Sequence, residues 1–285
     1  MAVIALRGLG LGDLLAAVPA LRALRRGFPG RRLVLAGPAS LAPLLPVDEV
    51  VEVRGPGPVP VREPEVAVNL HGKGPQSVEA LRRTRPGRLL THGEDGPPWR
   101  EEVHEVRRWC ELLEWYGLAA DPLDLRLGSH LGGGPIVVHP GAAYPARRWP
   151  AERFAKVVAA LPGEVVVTGS ADERPLAAEV AELSGGRAEV LAGETDVLAL
   201  ADLVRRARLV ICGDTGVAHL ATAYGTPSVL LFGPTPPARW GPLTDGPHVV
   251  LWKGSEGDPH GRSADPGLLR IEVSDVLEAI SCVRW

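Results

Sequence analysis

The chain has 285 residues, of which 45% are hydrophobic and 23% charged, with a formal net charge of −3. That composition supports a buried core in each of two domains and excludes whole-chain disorder and general nucleic-acid binding. No apolar run approaches the roughly 20 residues that cross a bilayer, and no secretory leader is visible at the N-terminus.

Short β-branched runs alternate with amphipathic stretches, the pattern of βαβ units on a parallel sheet. Strands are expected at 3–6, 33–36, 50–53, 66–70 and 88–91, with helices at 13–27, 75–84 and 100–116. Leu14, Val18, Leu21, Leu24 and Phe28 recur at helical spacing and give the first helix one apolar face. The stretch GSHLGGGP at 128–135 reads as a linker. Beyond it strands are expected at 136–139, 165–168, 209–212, 228–232 and 249–252. Helices are expected at 151–161, 172–183, 197–206, 215–224 and 274–280. The expected domains are therefore 1–127 and 136–285, with the last helix packing back on the first domain. In open parallel sheets ligands bind beyond the carboxyl ends of the strands. Two such sheets facing one another would make a cleft.

Cys110, Cys212 and Cys282 are scattered and odd in number. They fit free thiols in a reducing cytoplasm, with no disulfide framework or zinc site. Arginine outnumbers lysine 28 to 3, and the chain has one Asn and one Gln. A GC-rich genome and a hot habitat both account for that bias.

Three motifs carry chemistry. The first, RGLGLGD at 7–13, joins the first strand to its helix, and Gly8, Gly10 and Gly12 let backbone approach a ligand closely. A dinucleotide fingerprint would need glycine where Asp13 stands, and no lysine closes a phosphate-binding P-loop. Asp13 reads either as a helix N-cap or as a general base. The second, VHPGAAYPARRWP at 138–150, places Gly141, Arg147 and Arg148 on a strand-end loop, where arginines neutralise phosphates or sit solvated. The third, CGDTGVAHLATAYGTP at 212–227, sets Asp214, Thr215 and Gly216 at a helix start and His219 one turn in. Singly these residues read as caps and a core histidine. Together with Thr235 in FGPT at 232–235 they describe a nucleotide or diphosphate pocket.

Four blocks, RGLGLGDLLAAVPALRALRRGFP, HPGAAYPARRWPAERFAKV, VTGSADE and ARLVICGDTGVAHLATAYGTPSVLLFGPTPPARWGP, occur in order over nearly the whole chain. In these blocks the chain resembles glycosyltransferase family 9, the ADP-heptose:lipopolysaccharide heptosyltransferases. The resemblance implies a GT-B fold of two Rossmann-like domains, with acceptor bound by the first and nucleotide-sugar donor by the second. It implies an inverting transfer with Asp13 as general base. Arg147, standing where the family has a lysine, would contact the donor diphosphate. Glu173, or its neighbour Asp172, would lie near the donor ribose. Asp214, Thr215, Gly216 and His219 match the donor-binding block. The implied donor is ADP-heptose, and the implied acceptor a lipopolysaccharide core or another glycolipid or glycan. The chain is short for the family, lacks the cysteines often found near 258–266, and has Asn69 where Asp is common.

The sequence has no DxD motif for a divalent metal, so no cofactor is expected and the two arginines and the helix start would stabilise the leaving group. Residues 14–47 hold five arginines, Arg22, Arg25, Arg26, Arg31 and Arg32, and no acid. They read either as a solvated helix face or as a patch meeting an anionic acceptor at the inner membrane surface. A cytoplasmic monomer is expected. A nucleotide-sugar epimerase and a non-catalytic nucleotide-sugar binder are the alternatives; acceptor-dependent nucleotide release excludes both.

Overall fold

A computed structural model describes residues 2–93, 95–243 and 246–285. The chain divides into two compact units, Met1–Leu125 and Arg126–Trp285.

In the first unit the chain runs β1 (Ala2–Leu6), α1 (Leu11–Ala16), α2 (Val18–Gly27), β2 (Arg32–Gly37) and β3 (Glu49–Glu52). It continues through β4 (Val66–Asn69), α3 (Gln76–Arg82), β5 (Arg88–Leu90) and α4 (Glu105–Trp115). The strands are parallel, in the order β3-β2-β1-β4-β5. Alternation along each strand feeds two apolar layers, as a parallel sheet covered on both faces requires. Val3, Ala5, Leu33, Leu35, Val66 and Val68 pack with Leu21 and Leu24 of α2 and Trp109 and Leu113 of α4. Ile4, Leu6, Val34, Ala36 and Ala67 face the other way, onto Ala80 and Leu81 of α3.

The single helix expected over 13–27 is broken at Ala17. The cause is Pro19, which has no N–H to donate and whose ring would meet the carbonyl of Leu15 in an unbroken helix. In the break Pro19 lies in the first turn of α2, where a proline is tolerated.

The second unit contains β6 (Ile136–His139), α5 (Ala151–Ala160), β7 (Val165–Val167), α6 (Arg174–Leu183), β8 (Glu189–Val190) and α7 (Val197–Arg206). There follow β9 (Leu209–Gly213), α8 (Gly216–Tyr224), β10 (Ser228–Phe232), α9 (Pro237–Trp240), β11 (His248–Trp252), α10 (Pro266–Leu269) and α11 (Val273–Cys282). Its parallel strands run β11-β10-β9-β6-β7-β8. Ile136, Val138, Val167, Leu209, Ile211 and Leu231 bury against Phe154 and Val158 of α5 and Val180 of α6. The final helix, expected to pack back on the first domain, instead places Val276, Ala279 and Ile280 in this same core. Residues 128–135, expected as a linker, are tied into the second unit. The amides of Leu131 and Gly134 donate to the carbonyls of Arg205 and Arg206.

Both sheets reverse strand order beside their first strand. In the first unit that point lies between β1 and β4, in the second between β6 and β9. Such reversals open a crevice beyond the carboxyl ends of the strands. The loops leaving β1, β6 and β9 are the three that carry the sequence motifs.

Candidate active site

In the first unit the loop after β1 presents Asp13. The N-cap of α1 is Gly10, exposed and extended at φ −73° and ψ −180°, and Gly12 and Asp13 lie in the helix's first turn. The cap reading of Asp13 is therefore corrected: its carboxylate is aimed at Arg7. Arg7 Nε donates to the Asp13 carbonyl, and Arg7 Nη2 lies 3.3 Å from Asp13 Oδ1. Asp13 keeps 33% of its side-chain surface exposed, whereas Arg7 has none. Gly8 is glycine because the backbone of Gly55 passes so close that a Cβ there would lie 2.5 Å from its carbonyl oxygen.

Six further residues complete this corner, and of these only Asn69 stood out in the sequence. Arg7 Nη1 donates to the carbonyl of Leu70, and Nη2 donates to Glu105 Oε1 at 3.0 Å. The guanidinium stacks over the Trp109 ring, 4.8 Å from its centroid. Glu105 also accepts from Arg108 Nε at 3.1 Å and from Trp109 Nε1 at 3.0 Å. Burial pushes the Glu105 carboxyl up, but the adjacent Arg7 and Arg108 guanidiniums more than reverse this and leave it below its ordinary value. His71 Nδ1 accepts from the Gly8 amide at 3.2 Å. Half-burial and then the Arg7 charge push the His71 ring down, favouring its neutral form. Asn69 is buried and holds the same turn, donating to the Gly72 carbonyl at 2.8 Å and accepting from the His71 amide.

In the second unit the loops after β6 and β9 meet. Arg147 Nη1 lies 3.4 Å from the Asp214 carbonyl and 3.8 Å from Asp214 Oδ2, and Asp214 is buried. Among the described residues the buried Arg147 Nε has no hydrogen-bond partner, an arrangement that costs free energy unless an acceptor is supplied. The Tyr144 ring lies 5.8 Å from the Arg147 guanidinium carbon. Arg148 Nε donates to the Ala142 carbonyl at 2.8 Å, so it braces its own loop.

Thr215 is the N-cap of α8 and, among the described residues, makes no side-chain cap bond. Gly216 opens the helix. His219, one turn on, is half-buried and packs edge-to-face on Trp240 at 5.8 Å, so it is not a core histidine. Thr235 is likewise half-buried, just beyond β10.

Glu173 and Gly141 are brought together. A Cβ on Gly141 would lie 2.2 Å from Glu173 Oε1, so a side chain there would displace that carboxylate. Glu173 Oε2 accepts from the Ser170 amide at 2.8 Å in a capping box. Burial pushes the neighbouring His139 ring down, while the Glu173 carboxylate opposes that shift.

The arginine patch is not the uncompensated charge its local sequence suggests. Arg22 and Arg26 both pair with Asp124, Arg25 with Asp48, Arg31 with Glu65 and Arg32 with Glu49. The acids come from outside residues 14–47, one of them from the far end of the unit, so a local count misses them. Among the described residues there is no cluster of His, Cys, Asp or Glu suited to a metal ion, and no helix long and apolar enough to cross a membrane.

The family model for glycosyltransferase family 9 (heptosyltransferase) matches residues 117–262, just over half of the chain. The chain belongs to glycosyltransferase family 9. The match takes in the Arg147 loop, Glu173, the Asp214–His219 block and Thr235.

Among the curated relatives, lipooligosaccharide heptosyltransferase 2 of Haemophilus influenzae is 32% identical over 146 residues, 46% of this chain and 42% of that one. Lipopolysaccharide heptosyltransferase 2 of Escherichia coli K12 is 31% identical over 119 residues, 39% of this chain and 34% of its own. The chain thus covers less than half the length of these relatives. Solved structures match over both units. Escherichia coli ADP-heptose LPS heptosyltransferase II superposes with a TM-score of 0.78 at 20% identity, covering 99% of this chain and 98% of that one. A family 9 glycosyl transferase from Veillonella parvula gives the same score and identity, over 99% and 96%. Escherichia coli heptosyltransferase WaaC with ADP gives 0.71 at 17%, over 99% of both chains. The fold is therefore the GT-B fold of these enzymes, with its two parallel sheets.

Proposed function

We propose that this family 9 chain is an inverting glycosyltransferase that moves a heptose from ADP-heptose to a hydroxyl of a lipopolysaccharide core or another anionic glycolipid. The observation that carries the reading is Arg147, held against Asp214 where β6 and β9 part, with its buried Nε lacking a partner among the described residues. An anionic diphosphate supplies the acceptor this nitrogen lacks. WaaC, of similar fold, was solved with ADP and with ADP-2-deoxy-2-fluoro heptose, which supports an adenosine diphosphate as the donor's leaving group.

In this reading the second unit binds the donor. The Arg147 guanidinium and the amino end of α8 neutralise the charge that grows on the diphosphate as its bond to the sugar C1 breaks. Glu173 lies on the ribose side, with Gly141 giving it room. Arg148 braces the loop carrying Arg147, and Thr215, His219 and Thr235 complete the donor pocket. The first unit binds the acceptor. Its hydroxyl oxygen forms the new bond to C1 from the opposite face, and Asp13 takes the hydroxyl proton. These protein groups supply the charge stabilisation, so the transfer proceeds in excess EDTA; strict dependence on a divalent ion contradicts this part of the reading.

The test is a calorimetric titration with ADP and ADP-heptose, followed by an assay of ADP release with and without a deacylated lipopolysaccharide-core acceptor. The reading expects ADP-heptose to bind and ADP to appear only when acceptor is present. Binding without acceptor-dependent release, with any acceptor tried, contradicts transfer. Contact with the membrane face is tested by co-sedimentation: the reading expects more protein with anionic vesicles than with neutral ones, and equal amounts contradict it.

A further inference from the structure

The buried cluster behind Asp13 has more members than an anchor for one loop needs. Arg7 directly follows β1, Glu105 opens α4, and the two are 98 residues apart in sequence. The Arg7 guanidinium has no exposed surface and Glu105 is 12% exposed. One nitrogen, Arg7 Nη2, is shared between two carboxylates: Glu105 Oε1 at 3.0 Å and Asp13 Oδ1 at 3.3 Å. The shorter contact goes to Glu105. A second cation, Arg108, closes the far side of Glu105, and is itself held by the carbonyls of Arg100 and Val103 and stacked 4.0 Å over Trp99. Behind Asp13 the charged groups joined in this network include Arg7, directly after β1, and Glu105 and Arg108 on α4. His71, on the turn after β4, adds a titratable ring.

We propose that Glu105 is a positioning residue for Asp13, acting through Arg7: it fixes the guanidinium that orients the Asp13 carboxylate and takes the larger share of its charge. The physical reason is that an arginine pairing with Asp13 alone would hold that carboxylate strongly ionised and make it a poor proton acceptor. A second carboxylate on the same guanidinium keeps the orienting contact and offsets the charge. Trp109 serves the same end, since its indole N–H holds Glu105 Oε1 while its ring supports Arg7 from the side. The inference rests on the reading of Asp13 as the base, and extends it to residues outside the donor and acceptor contacts.

The experiment titrates the Asp13 carboxyl directly, by carbon-detected NMR of the full chain labelled at aspartate carboxyl carbons, with Asp13→Asn to assign the signal. In Glu105→Gln the negative charge is lost, and the Asp13 midpoint falls by about half a pH unit or more. Glu105→Asp keeps the charge but withdraws it by one methylene, and gives a smaller fall. Gln leaves a donor facing a donor in this cluster. If it unfolds the chain, the fall in the Asp variant decides. An Asp13 midpoint unchanged in whichever variant is folded overturns the proposal. The outcome is separable from the functional reading, because ADP release by Asp13→Asn tests the base and the titration tests what holds it.

Discussion

The guanidinium of Arg7 holds Asp13 at two points, donating through Nε to its carbonyl and lying 3.3 Å from its carboxylate through Nη2. The first contact fixes the backbone of the α1 turn, and the second fixes the side chain. Because Arg7 is fully buried and also serves Glu105 and Leu70, its loss is felt beyond the site. Breaking a buried pair by removing one partner typically costs about 3–5 kcal/mol. We expect Arg7→Met to lower the free energy of unfolding by that order, read from urea titrations at pH 7. Arg7→Lys is also destabilised, because an ammonium cannot reach all these acceptors at once. A loss under about 1 kcal/mol in Arg7→Met contradicts the assignment of Arg7 as the keystone of this corner.

Arg147 is expected to act on donor affinity. Hydrogen bonds to charged groups contribute about 1.5–3 kcal/mol, so Arg147→Met weakens ADP binding by roughly 10- to 100-fold in calorimetry. We expect the folded chain to tolerate the change, because the Arg147 contacts to Asp214 are long, at 3.4 and 3.8 Å. Arg147→Lys, with one compact charge in place of a fork, lies between the two. Unaltered ADP affinity in Arg147→Met removes this residue from the donor site.

Stability falls on the acid side through His248. The ring is hydrogen-bonded through Nδ1 to Ser228 Oγ at 2.8 Å, and among the described residues its buried Nε2 has no partner. Burial, then the Arg126 charge, push it down to about 4 from 6.5. The unfolded chain therefore takes up this proton below pH 6.5 while the folded chain does not. The contribution is full above pH 6.5 and is lost as pH falls towards 4. Between pH 7 and pH 5 it amounts to about 2 kcal/mol. His248→Gln lacks a titrating ring, so its unfolding free energy changes less over that interval than the wild type's. Parallel slopes for the two proteins contradict the shift.

Much of this was legible in the residues themselves. The β-branched runs at 136–139 and 209–212 are buried on both faces and need no partner to be recognised. The block at 212–227 is easy to pick out because Asp214 directly follows β9 and Gly216 and His219 lie in the first turn of the helix after it. What failed to read were relationships between distant residues. Nothing near Arg7 marks Glu105 as its partner, and a local charge count could not find Asp124 opposite Arg22 and Arg26. The break at Ala17 was visible in Pro19, but the apolar periodicity from Leu14 to Phe28 continues through it and masks the interruption. The two-residue strand β8 is too short to leave a pattern.

In the proposed reaction Asp13 takes the proton of the acceptor hydroxyl. Asp13→Asn keeps the size of the side chain and removes its basicity, and general-base catalysis is typically worth ~10²–10⁴ in rate. With ADP-heptose and a lipopolysaccharide-core acceptor, kcat for ADP release should fall by that factor while the dissociation constant for ADP stays within about twofold. An Asp13→Asn protein that turns over at close to the wild-type rate would contradict the central assignment.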